Sequence, residues 1–146
     1  MDSDPITENS PSVQSHLQII QGVINRMASN SAASKAWCIT VVSAILVLVA
    51  DKGKPEFAYL AFIPLLLFGA LDGYYLAFEK AYRASYNAFV EKLHTGTLET
   101  SDIYAVRPKG NLSKHQFDAI RSFSVWGFYI SLGIMILLAR FTVINL

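Results

Sequence analysis

Three windows of this chain are almost free of charge, and they constrain the fold more than any motif. From Ala36 to Ala50 there is no Asp, Glu, Lys, Arg or His; from Phe57 to Phe78 there is only Asp72; from Ser122 to Ala139 there is none. Each run approaches the roughly 20 apolar residues that a helix needs to cross a bilayer core. Three spans follow, at 33–51, 57–78 and 122–142. A soluble chain of 146 residues would have to bury helices that are apolar on nearly every side. The hydrophobic content of 53% and mean hydropathy of +0.36 favour lipid as the surrounding solvent. The expected fold class is therefore an all-α membrane protein with three transmembrane helices.

Lys and Arg divide unevenly between the two sides of three spans. Arg26, Lys35, Lys80, Arg83, Lys92, Arg107, Lys109, Lys114 and Arg121 share the side of the N-terminus and of the loop between spans two and three. Lys52, Lys54 and Arg140 fall on the other. Cytoplasmic segments carry the excess of Lys and Arg, so the N-terminus is expected in the cytoplasm and the C-terminus outside. The net charge of +1 conceals this asymmetry and gives no independent reason to invoke nucleic acid.

Met1-Asp2-Ser3-Asp4 opens acidic, and no basic, apolar and small-residue succession of the signal-peptide kind follows. The single Cys38 excludes an internal disulfide and reads as packing. No nucleophile motif, phosphate-binding glycine loop or zinc spacing is present. Neither a catalytic residue nor a cofactor is expected, and His94, His115 and Asp118 lack the fourth ligand and tight spacing of a metal site.

Residues 1–11 are polar and aperiodic, a disordered N-terminus ending in a helix start. There Ser10 stands as N-cap, and Pro11 takes the first helical position, where its missing N–H costs little. Val13, Leu17, Ile20, Ile24 and Met27 then recur at spacings of four and three, making 12–32 an amphipathic helix. Its other face is amide (Gln14, Gln18, Gln21, Asn25) rather than the lysines of a membrane-surface helix. That favours packing on another helix or on a second copy.

Ala28, Ala32, Ala36, Thr40 and Ala44 fall at every fourth position, a row of small side chains that lets helices approach closely in a bilayer. Because the row continues into span one, 33–51, residues 12–30 either extend that span or lie on the membrane. Asp51-Lys52-Gly53-Lys54-Pro55 is a tight turn. Pro64 is expected to bend span two and free the carbonyl of Leu60.

Nothing then stops the helix, since Glu79 and Arg83 pair at i,i+4 and aromatics continue at Tyr82, Tyr86 and Phe89. Residues 57–94 accordingly read as one helix with a cytoplasmic extension, and 95–112 as a cytoplasmic loop. Ser113-Lys114-His115-Gln116 matches a capping box. It starts a helix over 113–144 that enters the membrane as span three, with Phe117 and Ile120 placed to pack on the aromatic face of the second helix.

Asp72 is the one charge inside a span, by default a functional candidate as proton relay, ion ligand or interhelical partner. About 20 residues from Phe57 end the core near Leu76, which puts Asp72 about one turn inside the cytoplasmic boundary. A cation such as Arg26, Lys35, Arg83 or Arg121 is within reach there. Gly69 and Gly73 form a GxxxG pair whose row of small residues extends through Ala77, Ala81 and Ser85, a groove for another helix. Asp72 borders that groove, which leaves two roles open: an interhelical or interfacial partner, and conduction or gating.

Arg107, Lys109, Lys114 and Arg121 flank a loop and a helix start. With backbone N–H groups there, they are placed to hold an anion such as a lipid headgroup or a nucleotide phosphate. The ordinary cytoplasmic excess of Lys and Arg accounts for them equally.

The run His16-Leu17-Gln18-Ile19-Ile20-Gln21-Gly22-Val23-Ile24-Asn25-Arg26-Met27, then a hairpin of spans, then Leu71-Asp72-Gly73-Tyr74-Tyr75-Leu76 with Glu79-Lys80-Ala81-Tyr82-Arg83, resembles a family of small bacterial membrane proteins without assigned function. The resemblance covers roughly residues 16–93. In layout alone, a hairpin continuing into a cytoplasmic helix, the chain is also similar to two-span effectors of bacterial anti-phage and nucleotide-signalling systems. Neither likeness transfers a catalytic residue.

Together these features lead to the expectation of a non-enzymatic, homo-oligomeric effector or pore-type component of the bacterial inner membrane, in contact with the lipid bilayer. The alternative is a membrane anchor or assembly subunit that recruits a cytoplasmic protein through residues 79–123.

Overall fold

The computed structural model describes residues 7–144, which are mostly helical, with one longer connection over 95–111, and contain no strand. The first helix, α1, runs unbroken from Pro11 to Lys52 over 42 residues, about 63 Å at 1.5 Å per residue. Residues 12–30 therefore continue the first span as one helix.

The buried positions explain this continuity. Val13, His16, Ile20, Ile24, Ser31, Ser34, Cys38, Val42 and Val49 step by three, four or seven residues, a single 3.6-period stripe from end to end. The polar Ser29-Asn30-Ser31 patch does not interrupt it, because the serines on the stripe have partners; Ser34 Oγ, for one, donates to the carbonyl of Asn30 at 2.9 Å. Ser10 precedes the helix in extended conformation with Pro11 first, but its hydroxyl makes no bond to the helix end. It accepts instead from the N–H of Thr7 at 3.0 Å, so residues 7–10 form a turn. The rest of the disorder expected over 1–11 falls on residues 1–6, outside the described residues.

Gly53, at φ +59, ends α1 in the left-handed conformation that glycine adopts without a Cβ clash. A 3₁₀ segment, Pro55–Ala61, follows and leads directly into α2, Phe62–His94. Pro64 is thus the third residue of α2, in its first turn, where proline is tolerated. The 3₁₀-to-α transition, between Ala61 and Phe62, lies just before it. With a 3₁₀ rise of about 2 Å per residue, Asp72 lies about 25 Å along the axis from Phe57.

Beyond α2 the chain turns at Gly96, forms a 3₁₀ turn over Thr100–Asp102, and reaches two further helices, α3 (Leu112–Ile120) and α4 (Phe123–Ile144). The single helix expected over 113–144 is broken at Arg121-Ser122. Its cap is Asn111, not Ser113: the Asn111 Oδ1 accepts from the N–H groups of Ser113 and Lys114 at 3.0 and 3.4 Å. Asparagine caps as well as serine, and it stands two positions earlier.

α1 and α2 pair along their length, and α4 packs against the 3₁₀ segment and α2. Cys38, Val42, Ala61, Leu65, Val125, Tyr129, Leu132 and Ile136 form the core where these elements meet. Outside it, Trp37, Val47, Leu48, Ile63, Leu66, Leu67, Met135 and Leu138 are exposed, far more contiguous apolar surface than a soluble monomer carries. Thr40, Ser131 and Thr142 return their hydroxyls to the carbonyl four residues back, at 3.0, 2.7 and 3.1 Å, which satisfies them without water. Three helices are long and apolar enough to cross a membrane.

Candidate functional site

Asp72 is completely buried, on the face of α2 turned to α1. Ser31 Oγ donates to its Oδ1 at 2.5 Å, and the Lys35 ammonium lies 2.5 Å from its Oδ2. Lys35 and Ser31 are one turn apart on α1, with the Lys35 Nζ also 3.4 Å from the serine oxygen. The carboxylate therefore has a cation and a hydroxyl, one on each oxygen. A lone carboxylate without water or a cation would cost several kcal/mol here. On α4, Tyr129 donates to the carbonyl of Phe68 at 3.1 Å, one turn before Asp72 on α2. Three helices are thus tied by polar contacts within a short stretch of the bundle.

The row of small residues on α2 is occupied by the chain itself. Gly69 faces the Tyr129 ring and Gly73 faces Ile120, each at ordinary contact distance for an added Cβ, 3.5 and 3.6 Å. Ala77 and Ala81 are buried. The Ala81 carbonyl accepts from the N–H of Lys109 at 3.2 Å, and Ser85 Oγ donates to the Arg107 carbonyl at 2.5 Å. The helix that docks beside Asp72 is α1, and the groove next to it is filled by α4, α3 and the loop. On α1 the opposite holds: Ala36, Thr40 and Ala44 are all exposed. Phe117 and Ile120 are both exposed over most of their surface, Ile120 with its Cγ1 towards Gly73, and Ala119 is the residue that α3 buries.

The four cations expected to act together do not meet in one site. Arg107 and Lys109 line one cavity, of about 240 Å³, with His16, Phe89, Lys92 and Asp102. Lys109 also borders a neighbouring recess, which it shares with Lys114, His115 and Asp118. Arg121 lies over the ring of Phe117, 5.4 Å from its centroid.

His16 organises the first of these cavities. It is buried on the α1 stripe, its ring centroid is 4.2 Å from that of Phe89, and its Nδ1 accepts from the N–H of Tyr104 at 2.9 Å. Burial pushes its pKa below the ordinary imidazole value, opposed by the charge of Asp102. Lys92 bonds Asp102 at 2.7 Å, and the Glu99 N–H donates to the other carboxylate oxygen at 3.1 Å; both hold Asp102 below the usual carboxylate range. Tyr104 is held at φ +65, uncommon for a residue with a side chain. The loop is therefore fastened to α1 and α2 at several points.

Sequence reasoning passed over His16, Lys92, Asp102 and Tyr104. The signal for His16 was available: it lies three residues after Val13 and four before Ile20, at a stripe position where a polar side chain needs a partner. No protein-family model, curated protein or solved structure matches this chain.

Proposed function

We propose that this chain is a non-enzymatic, homo-oligomeric effector or pore-type component of a bacterial inner membrane, with its N-terminus in the cytoplasm, which perturbs the membrane on a cytoplasmic signal. The observation that carries this reading is the ion pair of Lys35 and Asp72, buried between α1 and α2. With Phe57 taken as the outer boundary of a hydrocarbon core of about 30 Å, a pair about 25 Å along the axis falls, on this reading, within about one turn of the cytoplasmic boundary. A paired charge at that depth contributes little net stability but fixes one helix arrangement, and it exposes polar groups to the bilayer when the helices part. A displacement of the cytoplasmic halves of α1 and α2 would reach this pair first.

The outward row on α1, Ala36, Thr40 and Ala44, supports the oligomeric part of the reading, because small side chains allow close approach of a second copy. The experiment is a permeability assay on cells expressing the wild type and Asp72→Ala. Leakage that depends on the intact pair is expected. No leakage from either chain, with the native neighbouring genes present, would sink the proposal.

One observation favours the second reading, an anchor that recruits a cytoplasmic protein through residues 79–123. Phe117, Ile120 and Phe123 are exposed together around the α3–α4 junction, large apolar groups that a soluble partner would cover. That reading requires a stoichiometric soluble protein in a pull-down and no functional change in Asp72→Asn.

A further inference from the structure

The cavity between the start of α1, the far half of α2 and the loop has the chemistry of an anion site. Its net charge is positive: Lys92 and Asp102 neutralise each other at 2.7 Å, while the side chains of Arg107 and Lys109, both exposed, have no ion-pair or hydrogen-bond partner among the described residues. Their backbones, in contrast, are fixed, by Ser85 on the Arg107 carbonyl and by Ala81 on the Lys109 N–H. Two cations are thus held at the rim by main-chain bonds, with their charged ends left over.

The floor supplies a donor. Because His16 Nδ1 accepts from Tyr104, the neutral ring carries its proton on Nε2. Among the described residues no partner takes that N–H, although His16 is only 1% exposed and lines the cavity. An acceptor that enters the cavity can take this N–H. An arginine, a lysine and a neutral N–H around one space match the three acceptor oxygens of a phosphate monoester, with the guanidinium able to take two of them.

Size narrows the class. About 240 Å³ lies below the roughly 300–1,000 Å³ of pockets for drug-sized ligands, so the cavity takes a phosphate with at most a sugar-sized body. Position narrows the source. Phe89 is about 25 Å beyond Asp72 along α2, whereas the headgroup layer adds only about 5–8 Å to each side of the hydrocarbon core. On the membrane placement proposed above, the cavity stands in water, past the headgroups.

We infer that this cavity binds the phosphate of a small soluble phosphomonoester, through Arg107, Lys109 and the Nε2–H of His16. The site itself does not depend on whether the chain permeabilises membranes, since binding is read on the purified protein.

The test is calorimetric titration of the full chain, in nanodiscs of neutral phosphatidylcholine, with ribose 5-phosphate and with inorganic phosphate. A parallel sample contains phosphatidic acid in the disc and no soluble phosphate, and its thermal midpoint is compared with that of the neutral disc. The variant is Arg107→Gln with Lys109→Gln, two exposed side chains whose loss leaves the fold and the thermal midpoint in neutral discs unchanged. Lys52→Gln with Lys54→Gln, at the opposite end of the bundle, removes the same charge as a control. Saturable binding of a soluble phosphate, at least tenfold weaker in the first pair and unchanged in the control, is expected. A response to phosphatidic acid alone, lost in the first pair, keeps the phosphate site and assigns it to a lipid headgroup. No response to any of the three probes, or a response that the first pair leaves intact, overturns the inference.

Discussion

The Lys35 ammonium of α1 lies 2.5 Å from the carboxylate of Asp72 on α2, with the carboxylate fully buried and the lysine side chain 20% exposed. The two ends of the pair are therefore unequal: Lys35 is partly exposed, and Asp72 is enclosed among Lys35, Ser31 and the Tyr129 phenol of α4.

This inequality sets the cost of breaking the pair. Replacing Lys35 by Ala leaves Asp72 buried with hydroxyl neighbours, Ser31 and Tyr129, and no cation, and is expected to destabilise the detergent-solubilised protein by about 3–5 kcal/mol. Lys35→Met combined with Asp72→Leu removes both charges and is expected to recover most of that loss. Unfolding midpoints of Lys35→Met, Asp72→Leu and the double close the cycle; a double variant as unstable as Lys35→Met would mean that the pair itself, and not the orphaned charge, carries the energy.

The GxxxG pair on α2 yields a prediction of opposite sign. A Cβ at Gly69 or Gly73 meets its neighbours at 3.5 and 3.6 Å, so neither site requires glycine for space. Alanine raises helix propensity by up to about 1 kcal/mol, and Gly73→Ala is expected to be neutral or stabilising by that amount in the same unfolding assay. Gly110→Ala should behave differently, losing about 1–3 kcal/mol. Gly110 sits at φ +97, and its Cβ would come within 2.7 Å of the His115 ring.

How far the sequence reaches is visible at particular residues. The three apolar helices were legible because absence of charge over about 20 residues is a one-dimensional property. The period that crosses the polar patch left residues 12–30 either continuing span one or lying on the membrane, because a periodic face does not say what covers it; the unbroken helix Pro11–Lys52 decides between them. The partner of Asp72 was narrowed to four cations but not to one, since depth along a helix does not specify which face a neighbour presents. The break at Arg121-Ser122 leaves no Gly or Pro to mark it. The cavity around His16 was illegible because it joins residues near 16, 89 and 107, brought together by main-chain bonds such as Lys109 N–H to Ala81 that side-chain patterns do not encode.

His16 makes stability depend on pH in a definite direction. Burial lowers its pKa in the folded state from 6.5, so the unfolded chain binds the proton more readily. Its contribution is fully present above about pH 6.5 and is lost as pH falls through the lowered folded value. Protonation also puts a hydrogen on Nδ1, where the Tyr104 N–H already points. Asp102 opposes the shift; Lys92, Arg107 and Lys109 also face the ring across the cavity. Thermal midpoints of wild type and His16→Gln between pH 8 and 5 are expected to converge towards the acid end, because only the wild type loses this contribution; parallel curves would show that His16 does not titrate in the transition.

The outward row on α1 separates assembly from folding. Ala36 and Thr40 are exposed, and Thr40 satisfies its hydroxyl on the Ala36 carbonyl, so neither contributes to the protomer's core. Ala36→Leu with Thr40→Leu adds bulk on a face where close backbone approach depends on small side chains. The protomer's unfolding midpoint is expected to stay within about 0.5 kcal/mol of wild type, while the particle mass in detergent, measured by light scattering, falls from that of an oligomer to a smaller species. If the mass is unchanged, copies of the chain do not meet through this row. The same variant then becomes a control for the permeability assay, since leakage that needs an α1-to-α1 contact disappears with it and leakage within one protomer does not.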